Sequence, residues 1–340
     1  MPEPAPRPAA LLDDYLGLVD DSCVALLPHV LRIAVELAVA DVLGDGALGA
    51  DEIAEAVGAE PDALYRLLRA LASVGVLTEE GGHIFRLTPA GHRLRAGVPG
   101  SVRTSLLNVE SQRAWLHGID TFRTGRSVFD GRHGGFFAHK DADSASDRAF
   151  LQRMRERAAR LYPRFATGTD WSESHTVMDI GGGDGYQLDA ILRSAPRLRG
   201  VLFDRPAVVA AVREAGTFDG RDCELRAGDF FEGVPRGADT HLLCSVLHDW
   251  TDEQCVSILS SSRAALEPGG RLMIVEMLVP EDGSWHPSMW SDIGMMVLTG
   301  GRERTAAEFE ALLTKAGYTL SAVRAVPDSD FSVLVAEQPR

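Results

Sequence analysis

Val177-Met178-Asp179-Ile180-Gly181-Gly182-Gly183-Asp184-Gly185-Tyr186 is a short apolar strand that runs into a glycine turn, and Gln187-Leu188-Asp189-Ala190-Ile191-Leu192 continues it as a helix. Glycines at such a turn let a ligand approach the backbone closely, and the acid that closes the next strand, Asp204, is placed to accept both hydroxyls of a ribose. A dinucleotide fingerprint would read Gly-x-Gly-x-x-Gly, with a pyrophosphate over the helix N-terminus. Counted from Gly181, the third glycine position holds Tyr186, and the spacing is Gly-x-Gly-x-Gly. Asp184 inside the turn repels a pyrophosphate but suits the ammonium of an amino-acid-bearing nucleoside. These residues favour S-adenosylmethionine over NAD.

Downstream the elements alternate. Strands end at Ile180, Phe203 and Ala227, further strands cover Thr240 to Cys244 and Arg271 to Glu276, and helices begin at Gln187, Pro206 and Asp252. This is the order of a doubly wound parallel sheet, an α/β fold. Tyr318 to Ala325 and Phe331 to Glu337, split by Pro327-Asp328-Ser329-Asp330, read as a hairpin that adds an antiparallel edge strand.

Residues 11–100 read as helices ending in a small hairpin, a winged-helix unit. Val30 to Leu43 is an apolar helix, Asp51 opens a second, and Pro61 to Leu71 is a third with a proline start. Val76 to Thr78 and Ile84 to Leu87 flank the turn Glu80-Gly81-Gly82. The third helix offers only Arg66 and Arg69 outward, so dimerisation fits this unit better than DNA binding. Its apolar stretch from Leu26 to Leu43 exceeds what one small unit buries. Residues 101–170 read as a helical linker interrupted at Gly131 to Gly135, whose aromatics (Trp115, Phe122, Phe129, Phe136, Phe137, Phe150) suit either interdomain core or a pocket roof. Residues 171–340 form the cofactor domain, and residues 1–10 read as a disordered lead-in.

The chain of 340 residues carries a formal charge of −15, which argues against a general nucleic-acid binder or a partner of anionic membranes. The expected partner is a small molecule. Cys23, Cys223, Cys244 and Cys255 are scattered, so neither a disulfide framework nor a metal site is indicated. With no signal-peptide pattern and no spanning apolar run, the expected location is a reducing cytoplasm.

In open α/β sheets ligands bind beyond the carboxyl ends of the strands, so the residues there are the ones that carry chemistry. After the third strand, Asp229 suits an adenine amino group and Phe230 its ring face, with a turn cap as the alternative reading of Asp229. After the fourth comes Val246-Leu247-His248-Asp249-Trp250. His248 is the candidate general base, because an imidazole titrates near neutrality, and Glu276 and Glu303 are available to orient it. Asp249 reads as the cap of the following helix. The segment from Trp285 to Leu298 is rich in Trp and Met; Trp285, Met289, Trp290, Asp292, Ile293 and Met296 are candidate substrate contacts, while Met295 and Val297 suit packing on a dimer partner equally well.

Taken in order, Asp179-Ile180-Gly181-Gly182-Gly183-Asp184-Gly185, Gly228-Asp229-Phe230-Phe231, Val246-Leu247-His248-Asp249-Trp250, Glu267-Pro268-Gly269-Gly270 and Gly300-Gly301-Arg302-Glu303-Arg304-Thr305 resemble the small-molecule S-adenosylmethionine-dependent O-methyltransferases. That group includes the plant caffeate and acetylserotonin enzymes and the actinobacterial polyketide and anthracycline enzymes. The resemblance spans nearly the whole chain. It implies a Rossmann-like class I methyltransferase domain, an N-terminal winged-helix domain intertwined in a homodimer, His248 as base and Glu276 and Glu303 as its flanking acids. It also implies that Met154 lies near the methyl donor and that Cys244 stands where relatives place a Lys, Arg or Ser on the adenosine. Some members of that family keep the cofactor and carry out hydroxylation, decarboxylation or a pericyclic step instead. The acceptor implied is a hydroxyl on an aromatic secondary metabolite.

Overall fold

The computed structural model describes residues 23–130, 134–161 and 164–339. The lead-in, residues 11–22 and the centre of the expected interruption at Gly131 lie outside them. The chain divides into two compact units, the first ending at Glu110 and the second beginning at Ser111. Among the described residues no helix is long and apolar enough to cross a membrane.

In the first unit the helix Pro61–Ser73 starts where the sequence places it: proline needs no amide partner at a first turn, and the Glu60 side chain accepts from the amides of Asp62 and Ala63. Its Leu64, Leu68 and Leu71 fill the core with Ile53 and Ala54 of the helix Ala50–Val57. The expected single helix over Val30 to Leu43 is two helices, Cys23–Glu36 and Val39–Leu43. Ala38 between them takes a left-handed φ of 58°, which ends the first helix and turns Val35, Val39 and Leu43 into one cluster. The expected hairpin forms from β2 (Leu77–Glu80) and β3 (Ile84–Leu87), but β3 also pairs with β1 (Ala47–Gly49), giving the sheet order β1-β3-β2.

The second unit is built on a seven-stranded sheet of β4 (Thr176–Ile180), β5 (Arg199–Asp204), β6 (Cys223–Ala227), β7 (Thr240–Cys244), β8 (Arg271–Met277), β9 (Thr319–Ala325) and β10 (Phe331–Glu337). Their spatial order is β6-β5-β4-β7-β8-β10-β9, with β4 to β8 parallel and β10 antiparallel to both its neighbours. Alternation within the strands feeds two cores. Val177, Leu202, Leu242 and Met273 face one layer; Met178, Val201, Leu243 and Leu272 face the other. The expected antiparallel edge strand is corrected in one respect: the antiparallel strand β10 is interior, and β9 holds the edge. Burial decides this, since Phe331, Val333, Leu334 and Ala336 of β10 are buried while β9 exposes Arg324 and Ala325.

The chain moves outward from β4 through β5 to β6 and then returns to the other side of β4 with β7. The order therefore reverses between β4 and β7, and the turns leaving these two strands flank the crevice where open sheets bind ligands. Of the aromatics from 115 to 150, Phe129 and Phe136 are buried with Ala114 and Val297 in a core of the second unit, whereas Trp115 and Phe122 are exposed. Val297 is thus an intrachain core residue.

Candidate active site

The turn after β4 is shaped by backbone. Gly181, Gly183 and Gly185 all have positive φ, and a side chain on Gly182 would press within 2.5 Å of Leu202 and 2.7 Å of the Asp179 carboxyl. The carboxylate of Asp204 closes β5 and spans two turns: Oδ2 accepts from the Gly183 amide at 2.8 Å and Oδ1 from the Arg205 amide at 2.7 Å. Burial pushes this carboxyl up to about 6, against the pull of those two amides and of the Arg205 charge. Asp179, buried at the end of β4, is pushed up to about 7 by burial and by the charges of Asp204 and Asp184. Asp184 already faces a cation, since Arg155 donates to its Oδ2 at 3.1 Å, and its Oδ1 accepts from the Tyr186 amide.

Beyond β6, Asp229 is exposed and its Oδ1 accepts from the Phe231 amide at 2.8 Å, which is a turn cap. Phe230 reaches the glycine turn, for its ring lies 3.8 Å from where a Gly181 Cβ would be, and it packs edge-on to Phe231 and Trp250. Cys244 and Met154 are half-buried. An open depression of about 560 Å³ lies beside Asp229, lined by Glu224, Arg226 and Glu232 among others, and it includes none of the residues around His248.

The turn after β7 is shaped by buried charge. Ser245 adopts a left-handed φ of 54°, and the chain then makes a tight helical turn, Leu247–Asp249, that buries His248. Glu276, at the end of β8 and fully buried, serves this turn with both oxygens. Oε1 accepts from the amides of Val246, Leu247 and His248 at 3.0, 2.9 and 3.4 Å, and Oε2 lies 3.2 Å from His248 Nδ1. Glu303 Oε1 lies at the same 3.2 Å from Nδ1, so one ring nitrogen faces two buried carboxylates. Burial by itself lowers the proton affinity of His248, but the charges of Glu276, Glu303 and Asp249 outweigh it and hold the imidazole well above its usual value. Burial raises Glu303 in turn, and the imidazolium more than offsets that, leaving it below the usual carboxylate range. Asp249 is pushed up to about 6, by burial first. The ligand-type atoms of His248, Glu276 and Glu303 fall within 4.8 Å of one another, a spacing a divalent cation also accepts. A proton on Nδ1 faces the same two carboxylates, and Oε2 of each is buried with no hydrogen-bond partner among the described residues.

Sequence reasoning passed over two residues that build this turn. Arg304 is 1% exposed and donates to the carbonyls of Leu247 and Trp250 at 3.0 and 2.8 Å and to Asp252, so it clamps the turn by its carbonyls as Glu276 does by its amides. Gly301 passes so close that a Cβ would fall 2.0 Å from the His248 carbonyl oxygen. The signal was present in Gly300-Gly301-Arg302-Glu303-Arg304-Thr305: Thr305 caps the next helix, and the residues before it lie across the turn.

The helix Ser288–Leu298 packs against the same turn. Asp292 meets the cluster through the backbone, its Oδ1 accepting from the Glu303 amide at 2.9 Å. Met289, Ile293 and Met296 are half-buried, whereas Trp285 and Trp290 are exposed at 50% and 70%. The structure thus gathers His248, Glu276, Glu303 and Asp292 in one place and leaves the two tryptophans on the surface of the chain.

Residues 115–319 match the model of the O-methyltransferase domain, and residues 22–96 match that of the O-methyltransferase dimerisation domain. The chain belongs to this O-methyltransferase family. It is 36% identical to a phenazine O-methyltransferase of Lysobacter antibioticus, over 91% of this chain and 92% of the relative. The solved mitomycin 7-O-methyltransferase aligns with a TM-score of 0.87 at 33% identity, covering 97% of this chain and 99% of that one. Human N-acetylserotonin methyltransferase in complex with S-adenosylmethionine aligns over the whole of both chains with a TM-score of 0.86 at 26% identity. An aclacinomycin 10-hydroxylase of Streptomyces purpurascens is also 37% identical, over 90% of this chain and 86% of its own length. The enzyme is an S-adenosylmethionine-dependent O-methyltransferase of the secondary-metabolite type. Its glycine turn suits that cofactor: a Cβ on Gly183 would find nothing nearer than Leu151 at 3.9 Å, leaving open backbone beside the Asp204 carboxylate.

Proposed function

We propose that this enzyme methylates a hydroxyl group, phenolic in the first instance, on an aromatic secondary metabolite, with His248 as the general base. The observation that carries this is the buried imidazole whose Nδ1 is fixed by Glu276 and Glu303. With Nδ1 committed, Nε2, which lies 4.0 Å from Asp249 Oδ2, is the nitrogen that takes the acceptor proton, and the carboxylates stabilise the imidazolium that results. A base of raised proton affinity matches a phenol better than an ordinary histidine, provided the pH is high enough to free it. Bound S-adenosylmethionine supplies an electrophilic methyl group on a sulfonium.

In this reading Gly181, Gly183, Asp204, Asp229, Phe230, Cys244 and Met154 hold the cofactor. Met289, Ile293 and Met296 face the acceptor, Trp285 and Trp290 reach it only from the surface of the chain, and Asp292 sets the loop of Glu303. The N-terminal unit joins two copies into a homodimer. The phenazine relative, named for an aromatic acceptor, supports the substrate class.

The test is mass spectrometry of the purified protein with S-adenosylmethionine and a panel of phenolic polyketides and hydroxylated aromatic acids. S-adenosylhomocysteine released together with a product heavier by one methyl group is the expected result. Conversion with no methyl gain would instead support the second reading, a non-methylating step in natural-product biosynthesis, which the hydroxylase relative keeps in view.

A further inference from the structure

Arg205 follows the acid that ends β5, and its guanidinium turns back over that strand end. It donates to Asp141, donates to Asp147 Oδ1 at 2.9 Å, and lies 3.9 Å from Asp204 Oδ1. Its carbon sits 5.5 Å from the centre of the Phe137 ring, and Phe137 stacks on Trp250 at 5.2 Å. The same segment is fixed on its other side by Lys140, which is 1% exposed, donates to Ser146 Oγ and lies 4.8 Å from the centre of the Phe136 ring. One cation thus joins the segment from Phe136 to Asp147 to the end of β5.

We propose that Arg205 is a positioning residue of the cofactor site: it ties the segment 136–147 to β5 and keeps the Asp204 carboxylate ionised, the form in which it accepts from ribose hydroxyls. The proposal rests on the reading of Asp204 as the ribose acceptor. Hydrogen bonds to an ionised acceptor are roughly twice as strong as neutral ones, so the charge state of Asp204 sets affinity.

The groups that bear on Asp204 are few. Asp147 from the tied segment raises it, Asp179 from β4 is a second like charge, and the amides of Gly183 and Arg205 lower it together with the Arg205 charge. At about 6, Asp204 is ionised at neutral pH by a narrow margin. Without the guanidinium only the two amides oppose the like charges, and it protonates nearer to neutrality. Affinity then falls away at a higher pH as the solution is acidified.

The experiment is calorimetry of S-adenosylhomocysteine binding between about pH 5.5 and 8.5, on the wild type and on R205M, R205K, D147N and D204N. The wild type should lose affinity as pH falls through about 6. For R205M we expect the midpoint moved up by about one unit, which makes binding about twofold weaker at pH 7 and about fivefold weaker at pH 6. R205K should restore most of both. D147N should move the midpoint down, since it removes a like charge; this opposite sign separates the electrostatic role from a merely structural one. Hydrogen exchange over 136–147 should show protection by ligand in the wild type that R205M loses. R205M or D147N with a wild-type midpoint overturns the proposal. If D204N also binds as tightly as wild type, it is the ribose reading that has failed; if D204N binds weakly, only the role of Arg205 has.

Discussion

The turns after β4 and β7 leave neighbouring strands of one sheet, but they are made in different ways. The first uses glycines and leaves backbone open at Gly183, with a side chain excluded at Gly182 by contacts below 3 Å. The second is packed with charge: Glu276 collects three amides, Arg304 two carbonyls of the turn, and His248 lies between two carboxylates. An open turn can receive a ligand without rearrangement. A turn full of buried charge can hold a proton at a chosen affinity, because low local dielectric makes each neighbour count. The difference suggests that cofactor binding and proton transfer should be separable by mutation.

His248→Ala should break that separation most visibly, lowering turnover by about a hundredfold or more while calorimetry finds S-adenosylhomocysteine affinity little changed. A parallel loss of affinity would mean that the two turns are one unit. Gly301→Ala places a methyl where the His248 carbonyl stands, and we expect about 1–3 kcal/mol of lost stability in denaturant unfolding. Unchanged stability would show that the turn yields more easily than its clamps suggest.

Glu303→Gln sharpens the contrast from the side of charge. In the proposed function the neutral imidazole is the base, so turnover should rise with pH through the raised value of His248, and removing one carboxylate should shift that rise to lower pH. A profile that does not move would take Glu303 out of the electrostatics. Asp179→Asn probes the glycine turn. The folded Asp179 holds its proton to about 7 and the unfolded one only to 3.8, so its contribution to stability is full below about 4 and is lost as pH rises through about 7. The variant should lack this part of the decline, gaining a few degrees of melting temperature at pH 8 relative to pH 5. Smallest of all, EDTA should leave turnover unchanged, since in the proposed function the His248 centre holds a proton and no metal ion; loss of activity restored by a divalent cation would reassign it.

Much of this was readable in the chain. The strand ends, the glycine turn and the proline-started helix Pro61–Ser73 rest on local pattern, and local pattern survives folding; Asp249, read as a cap, is not one, since Thr251 caps the helix Asp252–Ala265. What escaped depends on distant pairing. A buried arginine such as Arg304 has the composition of a surface residue until its carbonyl acceptors are in place, and Gly301 looks like an ordinary loop glycine until the His248 turn arrives beside it. Periodicity marked β9 and β10 as strands but carried no record of which one lies inside. Ala38 is a strong helix former that takes a left-handed conformation because the packing of Val35, Val39 and Leu43 overrides propensity.

Glu276 has a consequence for how such an enzyme can change over time. One of its oxygens is committed to backbone amides and the other faces the imidazole, so any replacement alters the architecture and the acidity together. Glu303 arrives on a separate loop, and its carboxylate meets the imidazole and Ser291 rather than the amides of the turn. A lineage drifting toward a different reaction has one adjustable screw at this centre and one welded joint, and variation should accumulate at the screw.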